Sequence, residues 1–295
     1  MKFDKALKLV GLEDIPLISS YLEKYPSENC DFNICNLLCW GKYFKLEYGV
    51  VNDRLLLFNP YYGYLLFPIG TYFSAKELYE INNCCQDLHG NVEIMVVPED
   101  FVLKNPDLET YFEITDDEDW NDYIYLTESL INLSGKKLAK KKNLISQFKR
   151  LYPDFVVKSI TENDYDEILD FSYHWKESQK REDDYLDIEF EAIKNILSHW
   201  KHLPCEGLKI YADNKLVSYA IFSPQTSDMY TVHFEKFDPD IKGSAQIINF
   251  ETAKHLELKV QFINREQDMG DEGIRQAKRS YQPVKMVKFH RLKVK

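Results

Sequence analysis

The spacing of hydrophobic and polar positions switches between period two and period 3.6 several times, and the switches predict one order of elements twice. Residues 43–50 alternate, with Phe44, Leu46, Tyr48 and Val50 on one face of a strand. Asn52 and Asp53 make a turn, 54–59 return, and a third strand is expected near 64–67. Ser74 caps a helix to about residue 88, 92–97 read as a strand, a short helical stretch follows Pro98, and 122–127 read as another strand. In the second half, 208–211 and 216–222 flank a turn at Asp213 and Asn214, and a third strand runs near 229–235. Ser244 caps a helix carrying Ile247, Ile248, Phe250, Ala253 and Leu256. A strand at 259–263, a helix at 271–281 and a last, imperfectly alternating strand at 285–292 complete it. Both halves read β-β-β-α-β-α-β, offset by 161 residues at the hairpin turns and 168 at the later strands. No residue-level similarity accompanies the offset, so the repeat is architectural.

A basic helix at 134–151, ended by Tyr152 and Pro153, lies between the halves. A strand at 155–160 follows, then a helix capped by Thr161 to about residue 175, a charged loop at 180–184 and a helix at 188–200. No Pro/Gly/Ser linker intervenes. The expectation is an α/β (α+β) chain of two domains, 1–133 and 134–295, the second beginning with the basic helix, each with a mixed central sheet.

The most informative stretch is 262–283. A short apolar strand ends in the polar run Asn264, Arg265, Glu266, Gln267 and Asp268, and the helix after it is stopped by Pro283. Acids occupy its first turn and Lys278 and Arg279 its last, as the helix dipole favours. Ile274, Ala277 and Tyr281 form one stripe expected to face the sheet, bringing the Tyr281 hydroxyl near Asn264 as a proton donor. The other reading makes Tyr281 a ring that closes the core.

With 295 residues, 44% of them hydrophobic, the chain can bury substantial cores, which excludes disorder. No apolar run reaches the length of a membrane span, and residues 1–5 open no signal-peptide core, so a cytoplasmic monomer is expected. Cys30, Cys35, Cys39, Cys84, Cys85 and Cys205 contain no C-x-x-C pair and read as reduced thiols rather than metal ligands. The net charge of −11 is uneven: residues 134–150 carry +7 and 273–295 carry +8, leaving −26 for the rest. Two readings stay open for the basic segments, one positive surface for a phosphate-bearing ligand or two separate solvated faces. P-loop, dinucleotide-binding, nucleophile-elbow and zinc-protease motifs are all missing.

The order of elements in the second half resembles the GNAT (acyl-CoA N-acyltransferase) fold. Gly243, Ser244 and Ala245 partly match that family's phosphate-cradling turn, but Asp240 replaces a basic or amide residue. Ala277 and Tyr281 resemble its Ala-x-x-x-Tyr helix, whose tyrosine often protonates the leaving group. A closer resemblance rests on two separated motifs. One is Leu133-Ser134-Gly135-Lys136-Lys137-Leu138-Ala139-Lys140-Lys141-Lys142-Asn143 with Phe148. The other is Asn264-Arg265-Glu266-Gln267-Asp268-Met269-Gly270 with Gly273, Ile274, Arg275, Gln276, Ala277, Lys278, Tyr281 and Pro283. Both are similar to signatures of the phosphatidylglycerol lysyltransferase C-terminal-like family. That resemblance implies tandem GNAT-like domains related to the FemABX peptidyltransferases, and characterised members that move an aminoacyl group from a charged tRNA to a lipid head group.

Aminoacyl transfer needs a positive rest for the tRNA acceptor end, a pocket for the amino acid and donors at the carbonyl oxygen. Lys136, Lys137, Lys140 and Lys141 are candidates for the rest, with a solvated helix face as the other reading. Glu266 and Asp268 could hold an ammonium group, or pair with Arg265 or Lys278. Asn264, Arg265, Arg275, Lys278 and His233 complete the candidate substrate site, His233 having an alternative as a structural histidine. Three functions remain open: transfer from an aminoacyl-tRNA to an amine, hydroxyl or lipid head group; coenzyme A-dependent N-acyl transfer, with Gly243 and Ser244 as cradle for acyl-CoA; or binding without catalysis.

Overall fold

A computed structural model describes residues 7–179, 184–288 and 290–295. The expected charged loop at 180–184 lies outside the described residues except for Asp184. The strands, in chain order, are β1 (Lys8–Leu9), β2 (Glu47–Val51), β3 (Arg54–Asn59), β4 (Tyr64–Ile69), β5 (Glu93–Val97), β6 (Phe112–Asp116), β7 (Asp122–Leu126), β8 (Val156–Ser159), β9 (Glu206–Ala212), β10 (Lys215–Thr226), β11 (Met229–Phe237), β12 (Phe262–Asn264), β13 (Lys285–Val287) and β14 (His290–Val294). They form two seven-stranded sheets.

The first sheet runs β1-β2-β3-β4-β5-β14-β6, and the second, read in the same sense, β8-β9-β10-β11-β12-β7-β13. In each, the fourth and fifth strands pair parallel and the pairs beside them antiparallel. The parallel pair needs a crossover helix. Ala75–His89 supplies it in the first sheet, with a full capping box between Ser74 and Glu77, and Ser244–Leu256 in the second. Asn52 and Asp53, like Asp213 and Asn214, hold φ between 48° and 62°, the left-handed values a tight hairpin turn requires. These are two tandem GNAT-like domains with mixed sheets, as the repeated order of elements predicted.

The units exchange a strand. One comprises Met1–Asn121 with Val287–Lys295, the other Asp122–Met286. β7 follows the first-half strands in sequence but enters the second sheet, and β14 returns to the first. The division therefore falls at 121/122, whereas the sequence placed it at 133/134, and the single strand expected at 285–292 is two strands in different sheets. Two further differences are local. Gly41–Phe44 is a helical turn closed by Lys45 at φ 54°, so the strand expected from 43 starts at Glu47. Gly243, not Ser244, precedes the crossover helix as its N-cap.

The second unit's core joins Ile247, Ile248, Ala253 and Leu256 of the crossover helix to Ile210, Ala220 and Phe222 of the sheet and to Ile145 and Phe148 of the basic helix Ala139–Leu151. Burial of each large apolar side chain is worth roughly 1.5–3 kcal/mol. Gly243 permits that packing. It sits at φ 89°, and a Cβ there would lie 2.6 Å from the Leu144 carbonyl oxygen.

Candidate functional site

The polar chemistry of the second unit gathers where β12 ends. Asn264 is fully buried; its amide donates to Asp122 Oδ2 (2.8 Å), and its Oδ1 accepts from the Glu266 backbone N–H (2.7 Å). The Glu266 carbonyl accepts from Tyr123 N (3.3 Å), and Glu266 itself holds φ 55°. A non-glycine residue in that region is kept there by its surroundings, and such positions cluster at functional sites.

The Glu266 carboxylate accepts from His233 Nδ1 at 3.0 Å, and His233 Nε2 lies 2.7 Å from Ser223 Oγ. His233 stands at a β-bulge. Phe234 pairs with Ile221 and Val232 with Phe222, which leaves His233 as the extra residue. Bulges re-aim side chains and recur beside active sites.

Tyr281 closes the apolar side. Its ring belongs to the core, 6% exposed, with the Arg265 guanidinium 5.2 Å and the Lys141 ammonium 4.5 Å from its centroid. The basic helix and the end of the 262–283 segment thus meet here, and Lys137 Nζ also donates to Gln282 Oε1 at 3.1 Å. Burial pushes the Tyr281 phenol well up, only partly opposed by Arg265, so its hydroxyl stays protonated at neutral pH. That hydroxyl makes no hydrogen bond to another described residue. Arg265 is held by Glu235 Oε1 (2.7 Å), which keeps it charged despite its burial. Burial, helped by Arg265 and Lys140, depresses the Lys141 ammonium.

Asp268 is an anchor rather than an open carboxylate. Its side chain is fully buried, takes Nε (2.9 Å) and Nη2 (2.8 Å) of Arg275, and accepts from Tyr123 OH (2.5 Å) and Gly270 N (3.0 Å). Burial alone would raise its pKa, but the bonds from Arg275, Tyr123 and Gly270 win and hold it below the usual carboxylate range. Its ion-pair partner is therefore Arg275, where the sequence offered Arg265 or Lys278. Lys278 instead donates to the Gln267 carbonyl, and Tyr125 OH donates to the Lys278 carbonyl (2.8 Å).

The helix Glu272–Arg279 held by these interactions buries none of its residues. The apolar stripe expected to face the sheet is not how it docks: Ala277 is exposed, and Arg275 and Lys278 face inward because Asp268 and the Gln267 carbonyl offer polar partners. Asp271 caps it, accepting from Ile274 N (2.9 Å).

Of the remaining candidates, Lys136, Lys137 and Lys140 are exposed on or just before the basic helix. The basic segment at 273–295 is divided between the units, and in the first Lys288 pairs with Glu99 and Arg291 with Asp117 (2.9 Å). Gly243 and Ser244 are taken up by packing: the glycine lies against Leu144, and the buried Ser244 hydroxyl donates to the Asp238 carbonyl (2.7 Å). Asp122, Tyr123, Tyr125, Ser223 and Glu235 escaped the sequence reading. The i, i+2 spacing of Tyr123 and Tyr125 marks a shared face, but nothing in the sequence assigns that face to the second sheet. Among the described residues, no group of three or more His, Cys, Asp or Glu could hold a metal ion, and no helix is long and apolar enough to cross a membrane.

The register shows how unequal the two units are. Aligning the parallel pairs sets Leu66 opposite Thr231 and Met95 opposite Asn264; two residues further on, Pro68 corresponds to His233 and Val97 to Glu266. Each of these four positions is polar in the second unit, or carries a hydroxyl, and apolar in the first.

Comparison with known proteins agrees with this architecture. A conserved Bacteroides thetaiotaomicron protein of unknown function superposes with a TM-score of 0.89 at 28% identity, covering 98% of this chain and 99% of its own. The C-terminal domain of a candidate lysylphosphatidylglycerol synthetase from Agrobacterium fabrum gives 0.66 at 14% identity (96% and 91% covered), and FemX gives 0.62 at 10% (97% of each). An uncharacterized Mycoplasmoides gallisepticum protein is 24% identical over 180 residues, 60% of this chain, and the match spans 57% of that relative's length. The profile of the family described as phosphatidylglycerol lysyltransferase, C-terminal, matches residues 22–290, and the chain belongs to that family.

Proposed function

We propose that the protein transfers an aminoacyl group from an aminoacyl-tRNA to an amine or hydroxyl acceptor, using the second unit. The observation that carries this reading is the Tyr281 phenol, kept protonated by burial between Arg265 and Lys141 and beside the polar cluster at the end of β12. The acceptor nitrogen or oxygen attacks the ester carbonyl and the ester C–O bond breaks. The departing ribose oxygen takes the Tyr281 proton, which solvent restores, while the acceptor's proton leaves through Glu266 to solvent. Glu266 also faces the ammonium group of the aminoacyl moiety. Exposed Lys136, Lys137 and Lys140 form the rest for the acceptor end, where Lys141 and Arg265 add positive charge. The family and its lysylphosphatidylglycerol synthetase and FemX neighbours support an aminoacyl or acyl transferase. An acyl-CoA donor is less well served, because Gly243 and Ser244 are engaged in packing and Asp240 would repel a pyrophosphate. An aminoacyl-tRNA donor places the reaction in the cytoplasm.

The test supplies the purified protein with tRNA charged with radiolabelled amino acids and, separately, with phosphatidylglycerol vesicles or small amines. Label should move from tRNA to one acceptor class, and Tyr281→Phe should lower turnover about 10²-fold or more with the fold retained. Transfer from acetyl-CoA but from no aminoacyl-tRNA would overturn the donor assignment, and full activity in Tyr281→Phe would overturn the role of the hydroxyl.

A further inference from the structure

The bulge at His233 turns the imidazole toward Glu266. The backbone of Glu266 is fixed at both ends, its N–H by Asn264 Oδ1 and its carbonyl by Tyr123 N, while its φ of 55° holds it out of the regular strand path. One freedom remains, the rotation of its side chain, and His233 Nδ1 meets it there at 3.0 Å. The imidazole is itself enclosed, its side chain fully buried, and its far nitrogen abuts Ser223 Oγ at 2.7 Å on the neighbouring strand. Ser223 is also fully buried, and Glu266 is the member of the three whose side chain reaches solvent, 17% exposed.

We propose that His233 is a positioning residue for Glu266 and that Ser223 sets its tautomer. The order is that of a serine–histidine–carboxylate triad turned around, with the carboxylate outward toward substrate and the serine inward as anchor. A carboxylate only accepts, so Nδ1 carries the hydrogen. The neutral ring then presents Nε2 as an acceptor, and the Ser223 hydroxyl donates to it. No covalent step involves Ser223. The device orients the oxygen of Glu266 that faces the substrate's ammonium group or takes the acceptor's proton, and so rests on the transfer reading above. Fixing such a group in its working geometry spares the reorganisation a free side chain would need. The charged groups around the imidazole are Glu266, with Glu235 two residues along β11, and Arg265 and Asp122, which reach the same cluster through Glu235 and Asn264. In the first unit the corresponding position is Pro68, which has no donor to offer.

Two measurements test this. Nitrogen-15 NMR of the imidazoles in the full chain, with Ser223→Ala and His233→Gln variants for assignment, reads the tautomer without any substrate. The expected state carries a hydrogen on Nδ1 and none on Nε2, and Ser223→Ala should move the Nε2 resonance. An Nε2-protonated ring in the wild type overturns the proposal whether or not transfer is found. The second measurement is transfer from charged tRNA. His233→Asn keeps an N–H near the place of Nδ1 and should retain activity within about tenfold, whereas His233→Gln, which places its amide near Nε2, should lose about 10²-fold in kcat with KM for the tRNA little changed. Equal losses in two folded variants would reduce His233 to a packing residue. The predicted tautomer with no transfer to any acceptor would leave the positioning intact and overturn the transferase reading instead.

Discussion

Asp268→Asn isolates the anchor of the Tyr281 segment. Asparagine has the same shape, so no cavity opens, but its amide group adds donors where Arg275, Tyr123 and Gly270 already donate. Breaking a buried ion pair by neutralising one partner costs about 3–5 kcal/mol. That cost has a local address. The helix Glu272–Arg279 has eight residues and buries none of them, and isolated helices shorter than about 12 residues are marginal in water. Its docking therefore depends on polar interactions: Asp268 with Arg275, Lys278 with the Gln267 carbonyl, and Tyr125 with the Lys278 carbonyl. Removing about 3 kcal/mol raises the open population of this segment roughly 10²-fold, since each 1.36 kcal/mol is a factor of ten. Amide hydrogen exchange at 272–281 should accelerate by about that factor while the amides of β9 and β10 change little. The pH dependence follows from the depressed pKa of Asp268. Its contribution is fully present above the unfolded carboxylate value near about 3.9 and is lost as pH falls through the lower folded value. The gap between wild type and Asp268→Asn should therefore be constant at neutral pH and close below about pH 4. Exchange at 272–281 within threefold of wild type at neutral pH would refute the claim that this pair docks the helix.

Two predictions concern the basic helix. Gly243→Ala forces a Cβ to 2.6 Å from the Leu144 carbonyl at a φ of 89°, so thermal unfolding should show a loss of about 1–3 kcal/mol, the usual cost of overpacking. Paired reversal of Lys136 and Lys140 to Glu should weaken tRNA binding and reduce the slope of log affinity against log salt by about 0.7–0.9 for each phosphate no longer neutralised; unchanged slopes across a salt series would remove these lysines from the interface.

Much of the backbone was legible because its signals are local. The Asn52 and Asp53 turn, its counterpart at Asp213 and Asn214, and the Ser74 cap are set by residues a few positions apart, and the structure forms them where the sequence places them. The exchange of β7 and β14 was not legible, since an alternating strand carries no mark of which sheet accepts it. The polar cluster was visible through composition: the crowd of polar side chains after β12 marked Asn264, Arg265, Glu266 and Asp268 as a candidate site. Their partners were hidden for the same reason as the strand exchange. Asp122, Tyr123 and Tyr125 arrive on β7, and Ser223 and Glu235 sit inside strands whose other residues read as core. Helical periodicity also misled at Ala277, because a helix docked through ion pairs need not show an apolar face.

The register of the two sheets sets the proposed chemistry in the second unit alone. Both sheets place a parallel pair at the same position, and both have an irregular register beside it. Yet Thr231, His233, Asn264 and Glu266 correspond to Leu66, Pro68, Met95 and Val97, and at the exchanged strand Tyr125 corresponds to Leu292, opposite the matched residues Ile263 and Ile94. A paired substitution tests the division directly. Val97 is fully buried, so Val97→Ala removes two methyl-sized groups from a packed core and should cost about 1.5–3 kcal/mol of stability. Below its melting temperature it should transfer label from charged tRNA as the wild type does. Glu266→Ala leaves the buried His233 Nδ1 without its acceptor, a cost of about 1–3 kcal/mol, so it is compared with Val97→Ala below both melting temperatures, where its turnover should fall about 10²-fold. If folded Val97→Ala loses transfer as Glu266→Ala does, the first unit takes part in the chemistry and the apolar register has been misread. If folded Glu266→Ala still transfers as the wild type does, the cluster after β12 serves the core, and the chemistry lies elsewhere in the chain.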